Sequence, residues 1–367
     1  MTSWLEISRS NLEHNVRYFR RLLNPQTKLF AVVKGNAYGH GQQEVVSILK
    51  RNKLIDGFVV FELAEALALR KQTTKPILVL GFWPRSKSEL RAAARAKITL
   101  PIKDLADAQY LNSLGVKVST QIKVDVGTRR LGIDYRQAVG GIEQIVKLKN
   151  LQIQGIFSHF ADSENRQQDF THLQFQRFLR VIHELHKDNI IFPLNHIACT
   201  AAVLRQPSYQ VQGLRLGLGL YGLEPYHDQK RGGVLKPVLS WKTKVLQVKA
   251  VKRGDTVGYG QSYRVTKDSF IATIPVGYYD GFDRRFSNNA TVLIKGQRYP
   301  VVGRICMNVM MIALPAKHQI KVDDIVTLIG RDGKELITVD DLAKWSATIN
   351  YEVTTRLNPL LPRIICS

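Results

Sequence analysis

The chain has 367 residues and a mass of 41.6 kDa, and 44% of its residues are hydrophobic. This size favours one large domain with a smaller one beside it. The 53 lysines and arginines outnumber the 30 acidic residues and give a net charge of +23, which raises the possibility of a nucleic-acid partner. Because the basic residues are dispersed and no RNA-binding signature accompanies them, a basic surface on a catalytic domain is favoured and no nucleic-acid partner is expected.

Membrane and metal partners are not expected either. The sequence has no unbroken apolar stretch of membrane-spanning length, and residues 1–8 lack a basic region followed by an apolar one. The cysteines, Cys199, Cys306 and Cys366, are odd in number and scattered, without a paired metal-ligand spacing. These features predict a cytoplasmic protein with reduced thiols and no metal.

Helical and strand patterns alternate along the first part of the chain. In the first helix, Leu12, Val16 and Phe19 share an apolar face, and Ser10 with Glu13 has the spacing of a capping box. The runs that predict strands are 29–33, 57–61, 76–81, 97–102, 118–126, 151–158, 194–199 and 213–221. Strands that alternate with helices indicate a parallel sheet.

Eight such strands match a (β/α)8 barrel, which normally needs about 200 to 250 residues. Barrel enzymes carry their sites at the C-terminal ends of the strands. The residues that follow this rule are Lys34, Arg130, His159, Thr200 and Gly217. After Pro225 the pattern changes to short strands and turns, so we expect a barrel over 1–229 and a mostly β domain over 230–367.

Lys34 is the most informative residue, because it ends an apolar strand and precedes a glycine-rich turn. Burial disfavours a charged amine, and a neutral amine can add to a carbonyl group. A lone lysine at a strand end more often keeps its ammonium in water. Here Gly35, Gly39 and Gly41 allow close backbone approach, and Tyr38 adds a hydroxyl donor, so a site is favoured.

Residues 31–41, AVVKGNAYGHG, resemble the pyridoxal-phosphate lysine motif of the alanine racemase family. The resemblance implies that Lys34 binds pyridoxal 5'-phosphate covalently and that Tyr38 binds its phosphate. Further motifs continue the resemblance in order as far as Tyr351. It also implies that a strand around residues 4–7 joins the β domain.

The resemblance assigns further phosphate ligands. They are the side chains of Thr200 and Tyr351 and the backbone of Gly217 and Leu218. The family usually has Asn-Ser where this chain has Cys199-Thr200. Threonine keeps the hydroxyl, whereas cysteine lacks the amide donor, so phosphate binding should survive.

Arg215 lies in VQGLRLGLGLYG, which is similar to the family segment whose arginine donates to the pyridine nitrogen of the cofactor. A guanidinium stays protonated and cannot accept a proton, so it favours return of a proton to the α-carbon over transamination. His159, in FSHFA, resembles the histidine that connects Arg215 to the second catalytic group. Taken alone, Arg215 is equally consistent with a surface charge at a strand end. A lone histidine in a strand is more often structural, so His159 is assigned to the site only because of the motifs around it.

The segment KVDVGTRRLG resembles the substrate side of the family site. Its implied roles are a bond from Arg130 to the substrate carboxylate and the phenolic oxygen of the cofactor, for which bidentate arginine is suited. Lys123 matches a lysine that can be carbamylated to orient that arginine. Thr128 and Arg129 stand where the family commonly has Met-Gly.

Racemisation requires a base on each face of the α-carbon. The resemblance gives Lys34 one face and gives the other to Tyr259, in VGYGQSY, acting from the partner subunit. An isolated tyrosine in a β domain usually serves packing. The implied protein is a homodimer with shared active sites.

Further family-like segments place Tyr278 and Arg304 at the entrance of the site and the backbone of Met307 near the substrate carboxylate. The usual aspartate of this segment is Asn308 here. Its replacement removes a negative charge from an arginine-rich entrance.

The sequence therefore predicts a pyridoxal-phosphate alanine racemase that supplies D-alanine for peptidoglycan, the last point resting on the family alone. A racemase for serine or another amino acid remains open because of Arg129, Cys199 and Asn308, and pockets separate similar side chains by only about 1 to 3 kcal/mol. A related decarboxylase is disfavoured by Arg215. A non-catalytic pyridoxal-phosphate carrier is disfavoured by the β domain.

Overall fold

The computed structural model describes residues 2–226 and 233–367. It divides into two compact units. The barrel unit comprises Glu13–Gly35 and the described parts of Val45–Lys236, and the β unit comprises the described parts of Met1–Leu12, Asn36–Glu44 and Pro237–Ser367. The expected boundary between residues 229 and 230 lies outside the described residues. Within the described ranges, no helix is both long and apolar enough to cross a membrane.

The strands and helices follow in chain order. The strands are β1 (Ser3–Ser8), β2 (Lys28–Val32), β3 (Gly57–Glu62), β4 (Ile77–Phe82), β5 (Ile98–Ile102), β6 (Val118–Asp125), β7 (Ile133–Asp134), β8 (Leu151–Phe157), β9 (Ala198–Cys199), β10 (Gly213–Leu216), β11 (Leu239–Lys244), β12 (Gln247–Val251), β13 (Thr256–Val257), β14 (Tyr263–Arg264), β15 (Ser269–Ile274), β16 (Thr291–Ile294), β17 (Gln297–Val302), β18 (Met310–Leu314), β19 (Ile325–Asp332), β20 (Glu335–Ile337) and β21 (Arg363–Cys366). The helices are α1 (Arg9–Leu22), α2 (Lys34–Tyr38), α3 (Gln42–Leu49), α4 (Leu63–Arg70), α5 (Lys87–Arg95), α6 (Leu105–Asn112), α7 (Ala138–Ile145), α8 (Asp169–Lys187), α9 (Thr200–Arg205), α10 (Val339–Trp345) and α11 (Asn350–Thr355), with 3-10 helices at Pro207–Tyr209, Leu218–Tyr221, Tyr259–Gln261, Tyr278–Asp280 and Arg284–Phe286.

In the described part of the chain, eight parallel strands form the barrel, as the sequence predicts. Strands β2, β3, β4, β5, β6 and β8 are neighbours in that order, and β9, β10 and β2 continue the ring. A parallel bridge between Phe157 and His196 joins the end of β8 to the segment before β9. The N–H of Ser158 donates to His196 O at 3.1 Å, and the N–H of His196 donates to Ile156 O at 3.1 Å. Strand β2 is buried along four of its five residues, as expected for a strand covered on both faces.

The start of α1 differs from the expected capping box. The helix begins at Arg9, and Ser8 Oγ accepts the N–H of Asn11 at 3.2 Å. The prediction that Ser10 and Glu13 cap the helix is therefore wrong. Because β1 runs through Ser8 directly into the helix, Ser10 already lies inside the first turn.

The β unit is a large, mostly antiparallel sheet, and the predicted β region after the barrel is confirmed. Its strand order is β12-β15-β18-β17-β16-β19-β11-β1-β21. Strand β1 pairs antiparallel with β11 and parallel with β21. The short hairpin β13–β14 encloses the 3-10 helix Tyr259–Gln261.

Candidate active site

A left-handed turn follows the lysine at the end of β2. Gly35, Asn36, Ala37 and Tyr38 all have φ between +52° and +59°. For residues other than glycine this conformation costs roughly 1–2 kcal/mol each. Within the β unit, the turn is held by bonds to Asn36, whose O accepts the N–H of Gly41 at 3.0 Å and whose Oδ1 accepts the N–H of residue 42 at 2.8 Å. Strain of this kind is concentrated at functional sites.

The amine of Lys34 is half-buried and loses its proton more readily than an ordinary lysine. Burial lowers its pKa first, and the positive charges of Arg130 and Arg215 lower it further, whereas Glu65 opposes them. Glu65 Oε1 accepts the N–H of Gly35 at 2.7 Å, and its other oxygen accepts the N–H of Phe61 at 2.9 Å. Lys34 therefore combines a reactive amine with an anchored backbone.

Arg215, on β10, is buried among hydrogen-bond acceptors. Its guanidinium donates to Ser158 O at 2.6 Å, to Ile197 O at 3.1 Å and to Nδ1 of His159 at 3.3 Å. It also donates to Nδ1 of His196 at 2.5 Å. The resemblance anticipates the contact with His159.

Sequence reasoning missed His196 and Gln121 as part of this arrangement. His196 is fully buried, and its Nε2 lies 2.8 Å from Gln121 Oε1. Since a guanidinium only donates, Nδ1 must accept and Nε2 must carry the proton. Burial, followed by the charge of Arg215, lowers the pKa of His196 well below its usual range, which agrees with a neutral ring. The available signal was a pair of polar residues in otherwise apolar strand segments.

Two backbone N–H groups near the start of the 3-10 helix Leu218–Tyr221 donate to the hydroxyl of the first residue of α9. Thr200 Oγ1 accepts the N–H groups of Gly217 at 3.2 Å and Gly219 at 3.3 Å. A Cβ at residue 219 would lie 2.4 Å from the ring of Phe19 and 2.7 Å from Thr200 Cγ2, so the close approach requires glycine. A hydroxyl with neighbouring backbone N–H groups is the donor chemistry that a phosphate needs. Cys199 instead lies with its Sγ 3.3 Å from Ser163 Oγ.

Lys123 and Arg130 line a small cavity together with His159. Burial, followed by the charges of Arg215, Arg130 and Lys34, lowers the pKa of Lys123 to about 7. Its Nζ donates to Leu80 O at 3.3 Å. An amine with this pKa is substantially neutral near physiological pH and can react with an electrophile.

The β unit brings together the predicted catalytic tyrosine, the predicted entrance residues and one predicted substrate ligand. Tyr259, Tyr278, Arg304 and Met307 line one pocket of about 470 Å³, and Asn308 lies beside them. The residues that line this pocket include no aspartate or glutamate. Tyr259 is 73% exposed, so its ring is available to a second surface.

Tyr38 and Tyr351 form a separate pair in the β unit, with ring centroids 6.2 Å apart. Tyr351 lies in α11. A Cβ at Gly39 would lie 1.8 Å from the backbone oxygen of Thr354, so only glycine allows this approach. The structure therefore places the two predicted phosphate tyrosines next to each other.

The predicted site residues fall into three groups. The barrel unit holds Lys34, Lys123, Arg130, His159, Thr200, Arg215, Gly217 and Leu218; the β unit holds Tyr259, Tyr278, Arg304 and Met307 around its pocket, and Tyr38 with Tyr351. The barrel group combines a reactive amine, permanent cations and a phosphate-type donor cradle. These are the elements needed to bind an anionic cofactor and an amino-acid carboxylate.

The chain is similar to known proteins over nearly its whole length. Residues 7–225 match the family model "Alanine racemase, N-terminal domain", and residues 238–365 match "Alanine racemase, C-terminal domain". An alanine racemase of Methanococcus maripaludis is 37% identical over 370 residues, which cover 98% of each chain.

Solved structures are similar over the whole chain. An alanine racemase of Clostridium difficile 630 has a TM-score of 0.94 at 33% identity, covering 100% of this chain and 96% of that one. A histidine racemase from Leuconostoc mesenteroides has a TM-score of 0.89 at 29% identity, covering 100% of this chain and 98% of that one.

Fold, site and relatives together define an amino-acid racemase, an isomerase built on a (β/α)8 barrel with a β domain. The chain belongs to the alanine racemase family.

Proposed function

We propose that this protein is a pyridoxal-phosphate-dependent alanine racemase that interconverts L-alanine and D-alanine. The observation that carries the proposal is the amine of Lys34, at the C-terminal end of a barrel strand. Burial and the charges of two arginines lower the pKa of this amine. A neutral amine at this place can bind a cofactor carbonyl and can later take or return a proton.

The residues of the barrel unit suit pyridoxal phosphate. We assign the phosphate to the backbone of Gly217 and to the hydroxyl of Thr200, which accepts the N–H groups of Gly217 and Gly219 and keeps its own proton to donate. A Cβ at Gly219 would clash with Phe19 and Thr200, so glycine allows the chain to approach this hydroxyl. When bound, the cofactor supplies an electron sink for the α-carbon of the substrate. We assign further phosphate contacts to the backbone of Leu218 and to the tyrosine pair described above.

Arg215 would face the pyridine nitrogen as a donor. Its buried guanidinium keeps its protons, and the acceptors around it, including His159, fix its plane. Because arginine donates but does not give up its proton, it leaves the ring nitrogen unprotonated. This limits electron withdrawal and favours reprotonation at the α-carbon.

Arg130 would bind the substrate carboxylate, with the backbone of Met307 as a second donor. Arg130 lines the cavity that Lys123 also lines. A carbamate on Lys123 would be an anion able to orient Arg130, and the lowered pKa of this lysine favours its formation.

The two faces of the α-carbon would be served by Lys34 and by Tyr259 of the partner subunit. Tyr259 stands on a surface pocket and is 73% exposed in one chain. Such an exposed tyrosine needs a second surface to become a catalytic group. We therefore propose a homodimer with shared active sites, acting in the cytoplasm and supplying D-alanine for peptidoglycan.

A racemase for another amino acid is the second candidate. The similarity to a histidine racemase supports it, and so does the absence of a carboxylate among the residues lining the Tyr259 pocket. Serine is included in this alternative. A non-catalytic carrier is less well supported, because the β unit and Tyr259 are both present.

The test is α-proton exchange in heavy water, together with racemisation, over a panel of L- and D-amino acids. Lys34→Ala should abolish both, and Tyr259→Phe should impair exchange from one isomer much more than from the other. Tyr279→Phe, at an exposed neighbouring tyrosine, is the matched control and should have little effect. Bound cofactor with no exchange from either isomer of alanine would contradict the proposal, and exchange from another amino acid would select the second candidate.

A further inference from the structure

The carboxylate of Asp125 is enclosed by the backbone of the loop that carries Arg130. Asp125 ends β6 and is only 7% exposed. Its Oδ1 accepts the N–H of Gly127 at 2.8 Å and of Arg129 at 3.1 Å, and its Oδ2 accepts the N–H of Arg130 at 3.1 Å. Within residues 2–226 and 233–367, no cation forms an ion pair with this carboxylate. The negative charge of Asp125 therefore interacts with backbone N–H groups, and such charge-assisted hydrogen bonds are strong.

Two side-chain bonds tie the same loop to its surroundings. Thr128 Oγ1 donates to His159 O at 2.8 Å, which connects the loop to the segment after β8. Arg177, on α8, donates to Val126 O at 3.0 Å. The loop is therefore fixed by Asp125, by the segment after β8 and by α8.

The backbone of this loop includes two residues with positive φ. Gly127 has φ of +141°, and Arg129 has φ of +55°, where a residue with a Cβ is strained by roughly 1 kcal/mol. Asp125 accepts the N–H groups of both residues. The carboxylate therefore stabilises the conformation that sets the direction of the next side chain, Arg130.

We propose that Asp125 is the positioning residue for Arg130, and that Thr128 assists it. The inference rests on the proposed role of Arg130 as the ligand of the substrate carboxylate. Bidentate recognition by arginine depends on angle as well as distance, so a small shift of the loop weakens binding. Thr128 stands where the family commonly has methionine, which has no donor, so this chain has an additional anchor.

The variant Asp125→Asn isolates the bond to Arg130. The amide oxygen can still accept from Gly127 and Arg129, whereas the NH2 group replaces Oδ2 and faces the N–H of Arg130. In the holoenzyme, loss of this charged hydrogen bond should raise KM about tenfold while kcat changes by less than about twofold. Propionate, a carboxylate without an amino group, should bind about tenfold more weakly in calorimetric titration. Thr128→Val should give the same pattern with a smaller change.

Asp107→Asn is the matched control. Asp107, on helix α6, is also a buried carboxylate of the barrel unit, but it pairs with Lys103, which precedes that helix. Its substitution should lower Tm and leave KM and propionate affinity unchanged. A purely structural role for Asp125 predicts this same result for Asp125→Asn.

The proposal is overturned if Asp125→Asn leaves propionate affinity unchanged, or if it leaves KM unchanged and lowers the apparent kcat only in proportion to a loss of folded protein. Failure of the proposed function gives a different result, because the wild-type holoenzyme would then not racemise alanine. Weaker propionate binding in both loop variants, but not in Asp107→Asn, supports the positioning role for any amino-acid substrate.

Discussion

The guanidinium of Arg215 donates a hydrogen bond to Nδ1 of His196 at 2.5 Å. The bond fixes the tautomer of a fully buried imidazole, since the other ring nitrogen must then donate to Gln121. The same guanidinium donates to Nδ1 of His159. Burial, followed by the charge of Arg215, lowers the pKa of His159 well below its usual range. Both histidines are therefore neutral hydrogen-bonding groups that hold the arginine, not proton stores.

Arg215→Lys should destabilise the protein more than an ordinary arginine-to-lysine change. An ammonium cannot satisfy the acceptors that now surround the planar fork, and partly broken buried networks cost about 3 kcal/mol. Chemical denaturation measures the change. Arg70→Lys is the control, because Arg70 is only partly buried and donates to Thr73 O and Lys75 O. Equal losses in the two variants would contradict the special role of the Arg215 network.

The stability of the protein should depend on Lys123 and on pH. The pKa of this lysine is about 7 in the folded chain and 10.5 for an ordinary lysine, so the unfolded state binds more protons between these values. The penalty of burying Lys123 is therefore fully present below pH 7 and disappears as pH rises to 10.5. Lys123→Met should be more stable than wild type below pH 7, by an amount on the order of 3 kcal/mol, and this advantage should vanish near pH 10.

The measurement uses denaturant unfolding in carbonate-free buffers over this pH range. Lys117→Met is the control, because Lys117 is exposed just before the same strand. A stability difference between Lys123→Met and wild type that does not change with pH would show that the amine keeps its proton throughout.

Lys123 should also form a carbamate, as the resemblance to the family implies. Carbon dioxide adds only to a neutral amine, and an amine with a pKa of about 7 is mostly neutral at pH 8. With ¹³C-labelled bicarbonate, the holoenzyme should show a carbamate resonance that Lys123→Met lacks. The signal should grow as pH rises through 7. Its persistence in the variant would assign it to another lysine.

Arg129 should reveal the strain of its left-handed backbone. Arg129→Gly and Arg129→Ala both remove the ion pair with Asp134, but only glycine relieves φ of +55°. Arg129→Gly should therefore be more stable than Arg129→Ala by about 1 kcal/mol. Thermal unfolding of the two variants measures the difference, and a more stable alanine variant would contradict it.

Thr200 should control the affinity for pyridoxal phosphate. Thr200→Val leaves the N–H groups of Gly217 and Gly219 without their acceptor and removes a phosphate donor. The cofactor dissociation constant should rise about tenfold, since a lost hydrogen bond to a charged group is worth about 1.5–3 kcal/mol. Thr200→Ser keeps the hydroxyl and should bind as wild type does. Spectroscopic titration of the apoprotein gives both constants.

The barrel strands could be predicted because buried strands appear in the sequence as short runs of apolar residues. Strand β2 and strand β6 closely follow the expected apolar runs. The last two runs were predicted too long. In one, His196 makes only a single bridge to Phe157 before β9 begins, and in the other Gly217, with ψ of −103°, turns the chain into a 3-10 helix. Both endings depend on neighbouring strands, which a local pattern does not record.

Candidate site residues could be predicted where they lie in a recognisable motif. They could not be predicted where only the pairing of strands places them near the other site residues. Lys34 and Arg215 lie in recognisable segments. His196 reaches Arg215 only because β9 and β10 pair in parallel, with Cys199 opposite Arg215. The role of Asp125 depends on the shape of the loop that follows it. Glycines predicted a turn after Lys34, but the left-handed conformation of Ala37 and Tyr38 is a property of the folded chain.

The place of β1 in the β unit has a consequence for how the protein acquires its structure. Ser3 pairs with Thr243, and Leu5 pairs with Arg363. Strand β1 therefore cannot pair until β11 and β21 have been synthesised, more than 200 residues later. Pairing across such sequence separation is slow, and an unpaired apolar strand is prone to association with other chains. The β unit should therefore be completed after the barrel, with β1 as one of the last strands to be secured. Conditions that slow chain elongation would lengthen the period in which this strand is exposed to aggregation.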